Sequence, residues 1–82
     1  MIHNKITIHD EFTVIENSIE YWVSYYKYQN GVIDEFWYKD KIKHRENGAA
    51  ETVSNVKYYW LNGVCYPDIK NDDEWLIKQI IE

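Results

Sequence analysis

The sequence has few of the residues that build disulfides, flexible linkers and membrane spans. Its single cysteine, Cys65, cannot form a disulfide within the chain, so the fold is not expected to depend on an oxidising compartment. One proline and three glycines in 82 residues exclude collagen-like and linker-like chains. The sequence contains no run of 18 apolar residues, and the amino-terminal residues lack the apolar segment of a secretory signal. We therefore expect a cytoplasmic protein that does not insert into a membrane.

Positive charge is also scarce. Nine basic residues against 14 acidic residues give a formal net charge of −5. Nonspecific nucleic-acid binding needs Lys and Arg to displace counterions from phosphates, so no direct nucleic-acid binding is expected. The negative balance is compatible with a protein partner that carries a basic surface, although mild acidity also serves solubility.

Aromatic residues are the main surplus of the composition. Four Trp, eight Tyr and two Phe make up 17% of the chain. Most of these rings carry an O–H or N–H group, which suits half-buried sheet faces and binding surfaces. The length corresponds to a single domain, residues 1–82, with room for one small core.

The hydrophobic pattern predicts a mainly β fold: a curved antiparallel meander of about five to seven short strands. The main predicted strands are residues 19–28, 32–39 and 56–61, and the alternation over 19–28 is imperfect because both of its faces carry aromatic residues. Turn pairs separate the predicted strands, and we expect Asn30-Gly31 to form a type I′ turn and Asn47-Gly48 a second turn. Asn62-Gly63 is a third Asn-Gly turn, and the further predicted turns are Glu16-Asn17-Ser18, Ser54-Asn55 and the weaker Asp40-Lys41.

The last segment changes to helical spacing and predicts a short helix over residues 72–81. Asn71 is a suitable N-cap with Glu74 three positions later, which is a variant of the capping box. Trp75, Leu76 and Ile80 fall on one predicted face. A helix this short is not stable alone, so we expect that face to pack on the sheet.

Residues 36–41 and 58–63 repeat one order of residue types: three aromatic residues, a long side chain and a turn pair. Together with residues 41–50, they resemble the repeat "W-Y-x-N-G-K-x-H-R-x-x-G-P-A" of divergent MORN-like proteins. Ala49 stands where that repeat has Pro. The resemblance extends over about residues 36–82 and implies stacked hairpin repeats over 36–66, followed by a closing helix. Repeats of this kind are abundant in small phage and bacterial proteins. Residues 1–35 have no counterpart in the repeat.

Few residue groups suggest chemistry. In His44-Arg45-Glu46, the imidazole and a carboxylate could form an acid–base pair, or the triplet could support the neighbouring turn and stack on rings. His3 and His9, the latter beside Asp10 and Glu11, have no metal-ligand spacing, so no metal is expected. Phosphate-binding loops and nucleophile motifs are absent from the sequence, and Cys65 is interpreted as a small buried thiol. No cofactor and no enzymatic activity are expected.

The surplus of rings suggests a protein-binding face. Tyr26 and Trp37 are expected to be exposed, because Tyr26 opposes the Ile19/Val23 face and Trp37 opposes the Phe36/Tyr38 face. Rings rimmed by carboxylates suit a basic partner surface. The candidate residues are Tyr26, Tyr28, Trp37, Asp34, Glu35, Asp40 and Glu46.

Two main interpretations of function remain open. The first is a non-catalytic protein-binding module, encoded by a phage, that inhibits a host defence system by binding a basic, nucleic-acid-handling protein. An anti-CRISPR or similar anti-defence protein would act in this way. The second is a small enzyme or ligand-binding domain that uses the region of His44, Arg45 and Glu46. A structural subunit of a phage or bacterial assembly is a third alternative, and a homodimer is compatible with the composition.

Overall fold

Short antiparallel hairpins account for most of the chain. The computed structural model describes residues 5–81, which form eight strands and one carboxy-terminal helix. In chain order these are β1 (Ile6–Glu16), β2 (Ile19–Tyr28), β3 (Ile33–Lys39), β4 (Ile42–Lys43), β5 (Glu51–Val53), β6 (Val56–Tyr58), β7 (Trp60–Leu61), β8 (Val64–Cys65) and α1 (Asp72–Ile81). The predicted mainly β class with a carboxy-terminal helix is confirmed.

Six strands form the main sheet and two form a separate hairpin. The main sheet has the order β1-β2-β3-β5-β6, with β4 paired beside β5 on the same edge of β3. All pairs are antiparallel, as the predicted meander requires. The predicted strand over 56–61 is interrupted at Tyr59, whose ring is buried against the helix, and its last two residues pair with β8 in the second sheet.

Four hairpins turn through two residues that both have positive φ, as in a type I′ turn. The turn residues are Asn17-Ser18, Asp40-Lys41, Ser54-Asn55 and Asn62-Gly63. Only the last pair has the Asn-Gly sequence that this turn favours, so three turns hold a non-glycine residue in the left-handed region at both positions. The match between turn twist and strand twist therefore decides the conformation here, rather than the residue preference.

The other two Asn-Gly pairs do not form type I′ turns, and the prediction for Asn30-Gly31 is wrong. The loop has three residues: Gly31 N–H donates to Tyr28 O at 2.9 Å, Tyr28 N–H donates to Val32 O at 2.9 Å, and only Gly31 has positive φ. This is the arrangement of a three-residue loop that ends in a glycine bulge. Gly48 has no positive φ and makes no hairpin; a Cβ there would lie 3.2 Å from a terminal nitrogen of Arg45.

The register of the sheet separates a buried face from an uncovered face. Val23 lies opposite Trp37, and Phe12 lies opposite Val23, so these side chains share one face of the sheet. On this core face, Tyr21, Val23 and Trp37 form a buried cluster with Ala50. The segment 44–50 covers it, because Ala50 packs into the cluster and Arg45 lies over the Trp37 ring.

The helix begins as predicted and packs through Trp75, which is one of the three residues of the predicted face. Asn71 Oδ1 accepts the Glu74 N–H at 2.9 Å, and the Glu74 carboxylate accepts the Lys70 N–H at 2.8 Å. Trp75 is fully buried in a second cluster, against Tyr59 and Tyr66 rather than against the main sheet. Leu76 and Ile80, which were expected to pack with it, are 39% and 81% exposed.

Candidate protein-binding face

One side of the main sheet carries a continuous set of aromatic side chains. Trp22 lies opposite Thr13 on one neighbouring strand and opposite Tyr38 on the other. Tyr26 lies opposite His9, and Phe36 lies opposite Glu51, which in turn lies opposite Tyr58. We call this side the open face and define it by six ring-bearing residues: His9, Trp22, Tyr26, Phe36, Tyr38 and Tyr58.

Contacts between neighbouring side chains hold much of the open face in place. The His9 ring stacks on Tyr26 with centroids 4.3 Å apart, and Tyr26 meets Phe36 edge-on at 6.2 Å. The Lys43 ammonium lies 5.4 Å from the Phe36 ring and is paired with Glu51 at 3.4 Å. Rings held by such contacts lose little rotamer freedom on binding, which favours their use as interface anchors.

Trp22 is the most exposed tryptophan of the described chain, at 49%, and it lines a groove on the open face. The groove has a volume of about 450 Å³. Besides Trp22, Thr13, Glu20, Tyr38 and Asp40 contribute to its wall. Trp22 is not among the site residues predicted from the sequence, although its position opposite the Ile19/Val23 face is a signal that identifies it.

Four of the seven predicted site residues belong to the open face or its margin. Tyr26 is half-buried beneath His9, and Asp40 lies in the turn after β3. Tyr28 Oη donates to Asp34 Oδ2 at 2.9 Å, and Asp34 Oδ1 accepts the Ser54 N–H at 2.8 Å. The hydrogen bond to Asp34 raises the pKa of Tyr28. Asp34 therefore orders the tyrosine and a turn, so its oxygens already have partners.

The other three predicted residues lie on the core side of the sheet. Trp37 is only 7% exposed, so its predicted exposure is wrong. Its side chain shares the face of Val23, because these two residues are opposite each other in the register. Glu35 accepts the Trp37 indole N–H at 2.6 Å, and Glu46 contacts His44 at 3.3 Å. Neither carboxylate rims the open face.

Arg45 connects the core face to the first hairpin. Its guanidinium lies 3.6 Å from the Trp37 ring centroid and donates to both carboxylate oxygens of Glu16, at 3.1 and 2.9 Å. It also donates to Ala49 O at 3.3 Å. The hydrogen bond from Arg45 is the main cause that lowers the pKa of Glu16. The single arginine of the chain therefore has a structural position.

His44 and Glu46 join the main sheet to the β7–β8 hairpin and to α1. The buried His44 accepts the Asn62 N–H at its Nδ1, at 2.9 Å. This bond leaves Nε2 to carry the ring proton toward Glu46. The Glu46 backbone N–H donates to Tyr21 Oη at 3.3 Å, and its carbonyl accepts from Gln79 at 2.7 Å. The triplet proposed for acid–base chemistry is thus engaged in contacts that position neighbouring elements.

The remaining candidate groups do not form a metal or thiol site in the described region. Within residues 5–81, no cluster of three or more His, Cys, Asp or Glu side chains could hold a metal ion. His9 contacts Glu11 at 3.4 Å, and His3 lies outside the described residues. Burial raises the pKa of the half-buried Cys65 thiol, which disfavours the reactive thiolate.

Comparisons with known proteins give no relative from which a function could be transferred. No family model matches the chain, and no curated protein or solved structure is significantly similar to it. The described helix is too short and too polar to cross a bilayer. The function is therefore inferred from the chemistry of the open face.

Proposed function

We propose that this protein is a non-catalytic protein-binding module that engages a basic protein partner through the open face. The main support for the proposal is the row of rings on this side of the sheet, with Trp22 and Tyr58 exposed at its surface. Tryptophan and tyrosine are the residue types that most often anchor protein interfaces, because they are large and rigid and carry a polar group.

The charge at the open face favours a basic partner. Glu11, Glu20 and Asp40 lie exposed on or beside it, and the chain as a whole carries a net charge of −5. Carboxylates around aromatic anchors attract a positively charged surface and repel an acidic one. Proteins that handle nucleic acid carry such basic surfaces, so we assign the partner to that class.

The resemblance of residues 36–82 to MORN-like repeats of phage and bacterial proteins suggests the setting. We place the protein in the cytoplasm of a bacterial host, as a phage-encoded inhibitor that occupies the nucleic-acid-binding surface of a defence protein. The positions of His44, Arg45 and Glu46 support a binding role over catalysis, since their polar groups are used in contacts within the fold.

A lysate pull-down with matched surface variants tests the proposal. The bait proteins are the wild type, Trp22→Ala/Tyr26→Ala on the open face, and Tyr25→Ala on the opposite face of the same strand. Nuclease treatment of the lysate removes capture that is bridged by nucleic acid. We expect the wild type and Tyr25→Ala to retain the same basic protein, and the double variant to lose it.

Circular dichroism and the melting temperature establish that each bait is folded before the comparison. Equal recovery of the partner by the wild type and the double variant would contradict the open face as the binding site. Loss of the partner in Tyr25→Ala alone would place the interface on the opposite face of the sheet.

A further inference from the structure

The groove beside Trp22 combines two rings with two carboxylates at one end of the open face. Trp22 and Tyr38 are directly opposite each other, so their side chains are neighbours about 5 Å apart at Cβ. Glu20 lies one step from Trp22 along the same face of β2, and Asp40, in the turn after β3, lines the same groove. Both carboxylate residues therefore border the groove that contains the paired rings.

The chemistry of this groove suits a cation. Ring faces and carboxylates both attract positive charge, and a carboxylate pair leaves a negative excess even with Lys41 in the groove wall. In residues 5–81, the cations that lie over rings contact Phe36, Trp37, Trp60 and Tyr66. Lys41 is over neither Trp22 nor Tyr38, and the Trp22 side chain is 49% exposed, so this ring is accessible to a ligand.

The core face of the sheet contains a similar combination of a tryptophan ring and a carboxylate, and there an arginine of the chain binds both. Arg45 lies over the Trp37 ring, with Cζ 3.6 Å from the ring centroid, while its guanidinium forms a two-point hydrogen bond with Glu16. A planar guanidinium can stack on a ring and bind a carboxylate in its own plane at once, which an ammonium group cannot do. The groove presents Trp22 with Glu20 and Asp40, so an arginine side chain would satisfy it in the same manner.

We infer that the groove lined by Trp22, Tyr38, Glu20 and Asp40 is a binding pocket for an arginine side chain of the partner. This inference rests on the proposed function and specifies what the open face recognises. The guanidinium stacks on the Trp22 ring and donates to the two carboxylates. Arginine is also among the residues most enriched at interface hot spots and at nucleic-acid-binding surfaces.

A peptide titration tests the pocket without knowledge of the partner. The full chain, labelled with ¹⁵N, is titrated with blocked tetra-arginine and separately with blocked tetra-lysine. The indole N–H signal of Trp22 is assigned by its loss in Trp22→Phe. We expect tetra-arginine to shift this signal in a saturable manner, and tetra-lysine to bind at least fivefold more weakly.

Two variants with equal net charge separate the pocket from general attraction. Glu20→Gln/Asp40→Asn removes the groove carboxylates, whereas Asp68→Asn/Asp73→Asn removes two exposed carboxylates elsewhere. We expect tetra-arginine to bind the first variant at least tenfold more weakly than the wild type, and the second within about twofold. All four positions are outside the buried clusters, and the indole signal of Trp75 reports that the fold is intact.

Several results would overturn the arginine pocket. These are a Trp22 signal that does not shift, equal affinity for tetra-lysine, or equal weakening in both charge variants. Capture of a partner that depends on Trp22 and Tyr26, without tetra-arginine binding at Trp22, would overturn the pocket and leave the proposed function intact. Tetra-arginine binding at Trp22, without any partner that depends on the open face, would support the pocket and contradict the proposed function.

Discussion

Trp75 shows how one side chain holds an element in a domain with a small core. Its ring is fully buried between Tyr59 and Tyr66, and its indole N–H donates to Arg45 O at 3.0 Å. The helix has few other apolar contacts with the body, since the isoleucines at its end are exposed. Most of the apolar packing that fixes α1 therefore comes from one residue.

Replacement of Trp75 by alanine is expected to lower the free energy of unfolding by about 3–5 kcal/mol. The loss would unfold a large part of the population, because a domain of this size has little stability in reserve. Ile80→Ala, at a position that is 81% exposed on the same helix, is the control and should change stability by less than about 0.5 kcal/mol. Urea denaturation measures both values, and equal stability of Trp75→Ala and wild type would mean that α1 is not docked through this ring.

The Glu16–Arg45 pair gives the fold a defined response to acid. The pKa of Glu16 is lowered in the folded protein, mainly by the hydrogen bond from Arg45. The pair therefore makes its full contribution to the free energy of unfolding above the pKa of about 4.3 that Glu has in the unfolded chain. This contribution is lost as the pH falls through the lower pKa of the folded protein. Asp72, whose pKa is lowered by its hydrogen bond from Tyr59, acts in the same direction.

Glu16→Gln is expected to lower stability at pH 7 by about 1–3 kcal/mol, because it removes a hydrogen-bonded charge partner of a half-buried arginine. The difference from the wild type should shrink as the pH is lowered from about 5 to about 3. Urea unfolding at several pH values measures the difference. A gap between the two proteins that stays constant over this range would exclude the ion pair as its source.

At the scale of elements, the pairing of the flanking strands determines the conformation of the hairpin turns more than the turn residues do. Ser18 has a φ of 65° and follows Asn17 in the turn between β1 and β2. A non-glycine residue in the left-handed region costs roughly 1–2 kcal/mol. Glycine avoids this cost but loses more conformational entropy on folding, so the net gain in stability from a glycine is smaller than the cost. The turn nevertheless forms, because the strands on either side of it are paired. Ten residues of β2 pair with β1, beginning with Ile19 opposite Glu16.

Ser18→Gly is therefore expected to raise stability by roughly 0.5–1 kcal/mol, which corresponds to a few degrees in Tm for a domain of this size. The opposite change at Gly31, which has a φ of +86° and open space around it, should lower stability by about 1–2 kcal/mol in Gly31→Ala. Differential scanning calorimetry measures both. A lower Tm for Ser18→Gly would show that the serine side chain contributes more than its backbone conformation costs.

The elements were more predictable from the sequence than their faces. The limits of β2 and α1 follow from period-two alternation and from the Asn71 cap, because these signals are local. Trp37 is buried although the sequence predicts it to be exposed. Both sides of β2 and β3 carry aromatic residues, so alternation alone does not indicate which side is covered. That decision depends on segment 44–50 and on the Arg45–Glu16 contact, which joins residues 29 positions apart.

On the scale of the whole molecule, segment 44–50 and the helix lie on the core side, whereas the β7–β8 hairpin also reaches the margin of the open face, where Trp60 donates to Glu51 and lies beside Lys43. Arg45 connects three elements. Its side chain binds Glu16 at the end of β1, its backbone N–H donates to Trp60 O of β7, and its carbonyl accepts from the Trp75 indole of α1. The molecule is elongated, with principal extents of 46, 26 and 18 Å, and the open face runs across β1, β2, β3 and β6. A sheet with one packed side and one ring-bearing side is well suited to present a broad, rigid surface to a partner.

Two neighbouring tyrosines on β2 distinguish binding through the open face from binding through the opposite face. Tyr26 belongs to the open face, whereas Tyr25 lies opposite Glu35 on the other side of the same strand. The measurement is the Kd of the captured partner for wild type, Tyr26→Ala and Tyr25→Ala. We predict that Tyr26→Ala raises the Kd by about 30-fold, or about 2 kcal/mol, and that Tyr25→Ala changes it by less than about threefold. Equal Kd values for the two variants, or a larger loss in Tyr25→Ala, would contradict binding through the open face.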